Sequence, residues 1–338
     1  GAEGEPVEFT SIFFPWAGQA VMRSGWEADA RYLMFEVGPF GQGHQHEDKL
    51  GLYLWGWGKP LLTEAGTYSY DRSLWRRFAL DTQSHNTVIV DGLPQRRRGL
   101  NETYLATEPM EGVWATTDLF DWCTGRYESG YGGDHIPCTH ERTVIYLRPD
   151  AYIVVDRLLD AAGEHLYEAL FNLDAADAVV HEDGLSVTST DPGEPNLTLV
   201  PLATEGLSLR IAKGQEDPLL GWVPREDHRA IPCAVYSKRG PTPQMLVTLM
   251  LPHPTEEPPA VQAELIAQTQ EMLAIRIVRE VGEETVLYSF DGPRAMEIEG
   301  IATNGRLAVV RRAPDGTLSG GVVAGTELTV DGAPVALD

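Results

Sequence analysis

Apolar residues recur along the chain in short runs that alternate with polar positions, and glycine, proline or Asp-Gly pairs close almost every run. Segments such as RYLMFEVG at 31–38, LGLYLWGW at 50–57, TVIYLRP at 143–149, AYIVVDRLL at 151–159, MLVTLML at 245–251 and ETVLYSF at 284–290 are rich in β-branched and aromatic residues. Such runs, bounded by turn formers, read as strands. Helical spacing is scarce, and RSLWRRFALDT at 72–82 is the best candidate for a helix. The pattern predicts an all-β protein, a large antiparallel β-sandwich with a smaller C-terminal β layer. In TVIYLRPDAYIVVDR two apolar runs flank Arg148, Pro149 and Asp150, a hairpin in which proline presets the turn. A proline-rich, acidic stretch at 251–262 interrupts the strands and divides the expected domains into 1–252 and 253–338. No period of 20 to 50 residues recurs, which argues against a propeller or solenoid.

One stretch breaks the pattern. After RYLMFEVG comes GQGHQHEDKL, where two histidines and an aspartate sit at alternate positions. On an extended backbone His44, His46 and Asp48 point to one face, within reach of one ligand. Downstream, Glu64 and His85 add a carboxylate and an imidazole, so His46, Glu64 and His85 make a nitrogen and oxygen set of the kind zinc accepts. A tight hairpin turning at Gly58 and Lys59 sets Glu64 opposite about Tyr53, too far from His46, so the chain must bend after Asp48. Periodicity does not supply that bend.

Composition narrows the partners. Lysine and arginine number 26 against 50 aspartates and glutamates, a formal net charge of -24. Nucleic acid is excluded as a partner, because phosphate binding needs a basic face. An acidic polysaccharide requires a local arginine cluster, and Arg72, Arg76 and Arg77, with Arg96 to Arg98, offer two. Cys123, Cys138 and Cys233 have neither an even count nor a CxxC spacing. No apolar run reaches the roughly 18 residues of a membrane helix.

The run GHQHEDKLGLYLWGWGKPLLTEAGTY, then SHNTVIVDG, then HERTVIYLRPDAYIVVDRL, resembles the C-terminal β-sandwich module of the heparinase II/III-like polysaccharide lyases, whose members act on heparin, heparan sulfate or alginate. The likeness covers about residues 10–175 and is specific for the superfamily rather than for a substrate. It implies that His46, Glu64 and His85 bind one structural zinc per chain, with Glu64 where the family commonly has aspartate. His44 matches a histidine lining the catalytic cleft, and Asp48 a partner that fixes an imidazole tautomer. It also implies β-elimination of a uronate sugar, with Tyr70, or Tyr68 by the alternative local alignment, as the acid, and Arg76 and Arg77 against the acidic substrate. The family carries an N-terminal (α/α) toroid that completes the site, and the sequence has no such helical region. The expectation is therefore a part of a longer lyase, inactive alone, or a non-catalytic carbohydrate-binding or structural sandwich that retains zinc. A periplasmic or secreted location follows only if the parent carries a signal peptide.

Other residues carry less. His135 and His140 fall near the site in sequence, His140 as a strand-end residue, and His165, His181, His228 and His253 carry no assigned chemistry. Trp55 and Trp57 alternate along one strand face, best explained as packing.

Overall fold

The computed structural model describes residues 7, 9–41, 43–96, 105–133, 136–225 and 228–337. The chain forms two compact units, one of residues 1–114 and 122–258, the other of 115–121 and 259–338.

The first unit opens with a five-stranded antiparallel meander, Ile12–Phe14, Gln19–Arg23, Tyr32–Glu36, Leu52–Gly56 and Lys59–Leu62. Its middle strands alternate strictly: Met22, Leu33, Phe35, Leu52 and Leu54 are buried, while Tyr32, Met34, Glu36, Tyr53 and Trp55 face outwards and are part-exposed. That alternation, legible as a period of two, gives the meander one core face and one open face. An eight-stranded sheet has Ala151–Leu159 near its middle, paired on one side with Thr139–Leu147 and on the other with Gln244–His253, which in turn pairs with Asn196–Pro201. These central strands are buried nearly end to end, as continuous apolar runs demand. A four-stranded sheet runs Leu207–Lys213, Pro232–Pro241, Glu164–Asn172 and Val88–Val90. Tyr146 and Tyr152 stack at 4.5 Å within the core that these sheets enclose.

The described residues contain one α-helix, Leu74–Leu80, capped by Ser73, whose hydroxyl accepts from the Arg76 amide. The second unit has a five-stranded sheet from Gln262–Gln268 to Leu318–Val323 and a four-stranded sheet from Met296–Ile298 to Ala333–Pro334, packed around Ala274, Leu287, Leu328 and Val330. No helix among the described residues is long and apolar enough to cross a membrane.

Two local expectations are corrected. Gly56 pairs with Lys59, so the hairpin turns at Trp57 and Gly58, not at Gly58 and Lys59. Trp57 adopts φ +48° in that turn and does not continue the face of Trp55. The register then slips, so that Leu54 faces Leu62 while Trp55 faces Pro60. The extra residue, Leu61, is a bulge, and it draws the following segment back along the strand.

Candidate functional site

A cleft of about 260 Å³ opens on the outer face of the meander, where Met34, Glu36 and Tyr53 form part of its lining. His44, His46, Asp48, Glu64 and His85 line the same cleft. The bend that periodicity did not supply lies in residues 37–51. This loop leaves the strand at Glu36 and returns to it: Leu50 donates to the Glu36 carbonyl, and Glu36 accepts at one end and donates at the other, to the Gly51 carbonyl. A turn closes the loop, with the Gly51 amide on the Asp48 carbonyl at 2.9 Å. A Cβ on Gly51 would lie 2.8 Å from that carbonyl oxygen, so glycine is required for this close approach. His44 takes φ +57°, so the HQHED segment is not a strand, yet its alternate side chains still share the cleft.

Distant residues hold the loop in place. Gln95 brackets Lys49, accepting from its amide and donating to its carbonyl, each at 2.8 Å. Thr87 donates to the same carbonyl, and Thr82 to that of Glu47. Asn86 is fully buried, and its Nδ2 donates to the carbonyls of Leu52 and Thr63 at 2.8 Å and to Glu64 Oε1 at 3.1 Å. Beneath them Arg142 forms a bidentate pair with Asp156 and donates from Nη1 to the carbonyls of Leu50 and Asn86 at 2.7 and 2.6 Å. One buried guanidinium thus ties the His46 and Asp48 loop to the His85 segment. A Cβ on Gly125 would lie 2.5 Å from Val37 and 2.6 Å from Leu50, so a bare backbone there lets both ends of the loop pack down.

The ligating atoms of His46, Asp48 and His85 lie within 4.8 Å of one another, a group able to hold a metal ion. His85 is buried, 1% exposed, with Nδ1 hydrogen bonded to Glu64 Oε2. Its Nε2 is also buried and has no hydrogen-bond partner, the state of a nitrogen shaped to meet something other than protein. Burial disfavours a charged His85, but the Glu64 carboxylate, with Asp48 and Asp81 further off, outweighs it and lifts the pKa to about 9. The field at this spot favours a cation. Behind it burial raises Glu36, an effect Lys49 opposes, and burial lowers Lys49, which Glu36 and Asp48 oppose.

At the exposed rim the Tyr70 hydroxyl shares a 2.8 Å hydrogen bond with His44 Nδ1, and the rings meet edge to face. The Arg76 guanidinium lies over the Tyr70 ring at 5.2 Å, and its Nη1 is buried without a hydrogen-bond partner. Arg77 occupies the last turn of the helix. Tyr68 pairs instead with His228 Nε2 at 3.0 Å, and Trp75 stacks on that imidazole at 4.0 Å. The sequence had offered no sign of His228, since its partners lie far upstream of it.

The other candidates are elsewhere. His140 is buried against Asp156, and burial lowers its pKa. It is the second residue of Thr139–Leu147, at a strand end as expected, and it belongs there to the Arg142 network. Among the arginine triplet only Arg96 is described, with its amide on the Tyr127 hydroxyl; Arg97, Arg98 and His135 lie outside the described residues.

The family described as heparinase II/III-like, C-terminal, matches residues 8–262. A heparin-sulfate lyase of Pedobacter heparinus is 25% identical over 171 residues, 49% of this chain and 24% of the relative. One from Bacteroides stercoris is 24% identical over 223 residues, 63% of this chain and 30% of the relative. Among solved structures, a mutant heparan sulfate lyase of Pedobacter heparinus superposes with a TM-score of 0.67 at 20% identity, covering 86% of this chain and 44% of that one. A heparinase III gives 0.68 at 18% identity with the same coverage. The chain thus spans less than half the length of each of these relatives, and at such identities the structural likeness shows the fold.

Proposed function

From the premise that this chain belongs to the heparinase II/III-like family through its C-terminal domain, we propose that it is the C-terminal part of a polysaccharide lyase that breaks uronate-containing acidic polysaccharide by β-elimination. The observation that carries this reading is the Tyr70–His44 hydrogen bond at the rim of the cleft that holds the metal-ligand group. Elimination needs a base for the C5 proton and an acid for the departing glycosidic oxygen. His44 takes the proton from C5, and the C–H pair becomes the C4–C5 double bond. The C4–O bond then breaks, and its oxygen receives the Tyr70 proton. The hydrogen bond between the two groups returns the proton from His44 to Tyr70 and closes the cycle. Arg76, beside Tyr70, and Arg77 neutralise the carboxylate or sulfate of the substrate, through forks suited to such anions.

The donor set suits zinc: two imidazoles, the orphaned buried Nε2 of His85, and a carboxylate from the Asp48 and Glu64 pair. When bound, the ion supplies a fixed positive charge that shapes the cleft floor. The resemblance to the family and the lyase relatives support an N-terminal toroid in the parent protein that completes the site.

The test uses the full-length protein carrying this domain, assayed on heparan sulfate, alginate and hyaluronan by ultraviolet absorbance of the unsaturated product. His44→Ala is expected to lower the rate by about a hundredfold or more, in the range of general acid-base groups, with zinc content unchanged. An unimpaired His44→Ala enzyme overturns the role of His44. Full activity from the 338-residue chain alone overturns the division of the site between domains.

A further inference from the structure

The outer face of the meander continues past the cleft. Met34 and Tyr53 line the cleft, and two residues further along their strands stand Tyr32 and Trp55. Tyr32 lies opposite Arg23 on one side and Trp55 on the other, so these three make the next row across the sheet, and all are part-exposed. Two residues of strand span about 7 Å, and the rings of Tyr32 and Tyr53, 6.0 Å apart, join the row to the cleft. Arg23 is the telling member. Its guanidinium carbon lies 4.2 Å from the Trp26 ring centroid and 5.3 Å from that of Tyr32, so two aromatic faces brace it. Nε donates to the Gly25 carbonyl at 3.2 Å, and neither Nη has a hydrogen bond or a carboxylate partner among the described residues. In a chain of net charge -24 an arginine held open in this way is not accounted for by a salt bridge. Trp26 is 49% exposed and yet fixed: Nε1 donates to the Phe9 carbonyl at 2.9 Å, the Phe9 ring meets it edge-on, and its amide donates to the Glu27 carboxylate at 3.0 Å. An exposed ring already held in one orientation loses little freedom when a ligand settles on it.

We infer that Arg23, Trp26 and Tyr32 form an outer subsite for acidic polysaccharide, gripping sugar units beyond those held in the cleft. The Arg23 fork takes a sulfate or carboxylate group, and the aromatic faces take a sugar ring. This subsite rests on the function proposed above and extends the substrate contact along the open face of the meander. The acidic molecule as a whole repels such a chain, so a local cation beside the cleft is what holds it to this face.

The test is affinity electrophoresis, of the 338-residue chain and of the full-length protein, through gels carrying heparan sulfate, alginate, hyaluronan or uncharged dextran. Wild type is expected to be retarded by at least one acidic polymer and not by dextran. Arg23→Gln should bind that polymer about tenfold more weakly, the effect of losing one hydrogen bond between charged groups. Arg23→Lys should lose less, and Trp26→Ala should lose several-fold with its stacking face. Arg126 is paired with Glu128 and Glu141, so Arg126→Gln is the control and should bind as wild type. Far-ultraviolet circular dichroism of each variant shows that it has folded. Wild-type affinity in both Arg23→Gln and Trp26→Ala, equal retardation by dextran, no retardation of wild type, or an equal loss in Arg126→Gln overturns the subsite. So does a loss seen in the 338-residue chain and absent from the full-length protein, which gives the face to a contact with the rest of the parent. Unsaturated product is read separately. Turnover by a full-length protein whose variants bind as wild type sinks the subsite alone, whereas binding through Arg23 without product from any acidic polymer sinks the lyase function alone.

Discussion

Asn86 has no charge to titrate and is fully buried, yet four segments converge on it. Its Nδ2 serves the Leu52 and Thr63 carbonyls and Glu64, its Oδ1 accepts from the Asn172 amide at 2.7 Å, and its own carbonyl accepts from Arg142. Asn86→Ala leaves several buried backbone groups without partners, and loss of such bonds should destabilise the protein by about 3 kcal/mol. Denaturant unfolding measures that loss, and zinc titration should show weaker binding because Glu64 and His85 are no longer held. At this scale the SHN motif was visible in the sequence, but its logic was not. The partners are backbone atoms 34 and 86 positions away, and no periodicity encodes them. The histidines and carboxylates were legible because each residue type announces its chemistry. How the two carboxylates stand around His85 depends on side-chain partners that only the fold assembles.

The hairpin of Thr139–Leu147 and Ala151–Leu159 was legible as two apolar runs around Pro149, and it places Arg142 directly opposite Asp156. The charged pair inside those runs is what makes the hairpin matter to the cleft. Burial alone raises the Asp156 pKa, but Arg142, and after it His140, overcome this and bring it to about 2. A carboxylate depressed in the folded state contributes stability that is fully present above its unfolded value near 3.8 and is lost as pH falls through about 2. Wild-type protein should therefore lose stability over that acid window. In Arg142→Met, Asp156 is buried without its cation, which should cost about 3 to 5 kcal/mol at neutral pH, with zinc affinity reduced as the Leu50 and Asn86 carbonyls are released. Melting curves across pH, compared between the two proteins, check both statements; an acid dependence identical in wild type and variant contradicts the role of the pair. The loop 37–51 was the illegible element. Its bend depends on one glycine turn and on Gln95, neither of which belongs to a hydrophobic pattern.

For the whole molecule, alternation of apolar and polar positions identified an all-β architecture because one open face and one core face leave that trace in each strand. Strands with mixed composition were less visible: Phe120–Tyr127 and Pro232–Pro241 carry polar residues and glycine within buried strands. The proposed metal site is tested at this scale too. An ion bound by the native state alone raises the melting temperature by linkage, so stability of the metal-free chain should climb with added Zn2+ and fall again with chelator. His46→Ala should melt at a temperature indifferent to both, which differential scanning calorimetry records. The position of Gln244–His253 has a consequence for biosynthesis. That strand lies between Ala151–Leu159 and Asn196–Pro201, although it follows both in the chain. A nascent chain emerging from the ribosome therefore exposes two unpaired strand edges throughout the synthesis of residues 202–243, and edges of this kind are templates for pairing with another chain. Closure of the large sheet waits for its latest central strand, so the interval before that strand appears is when this polypeptide most needs a chaperone.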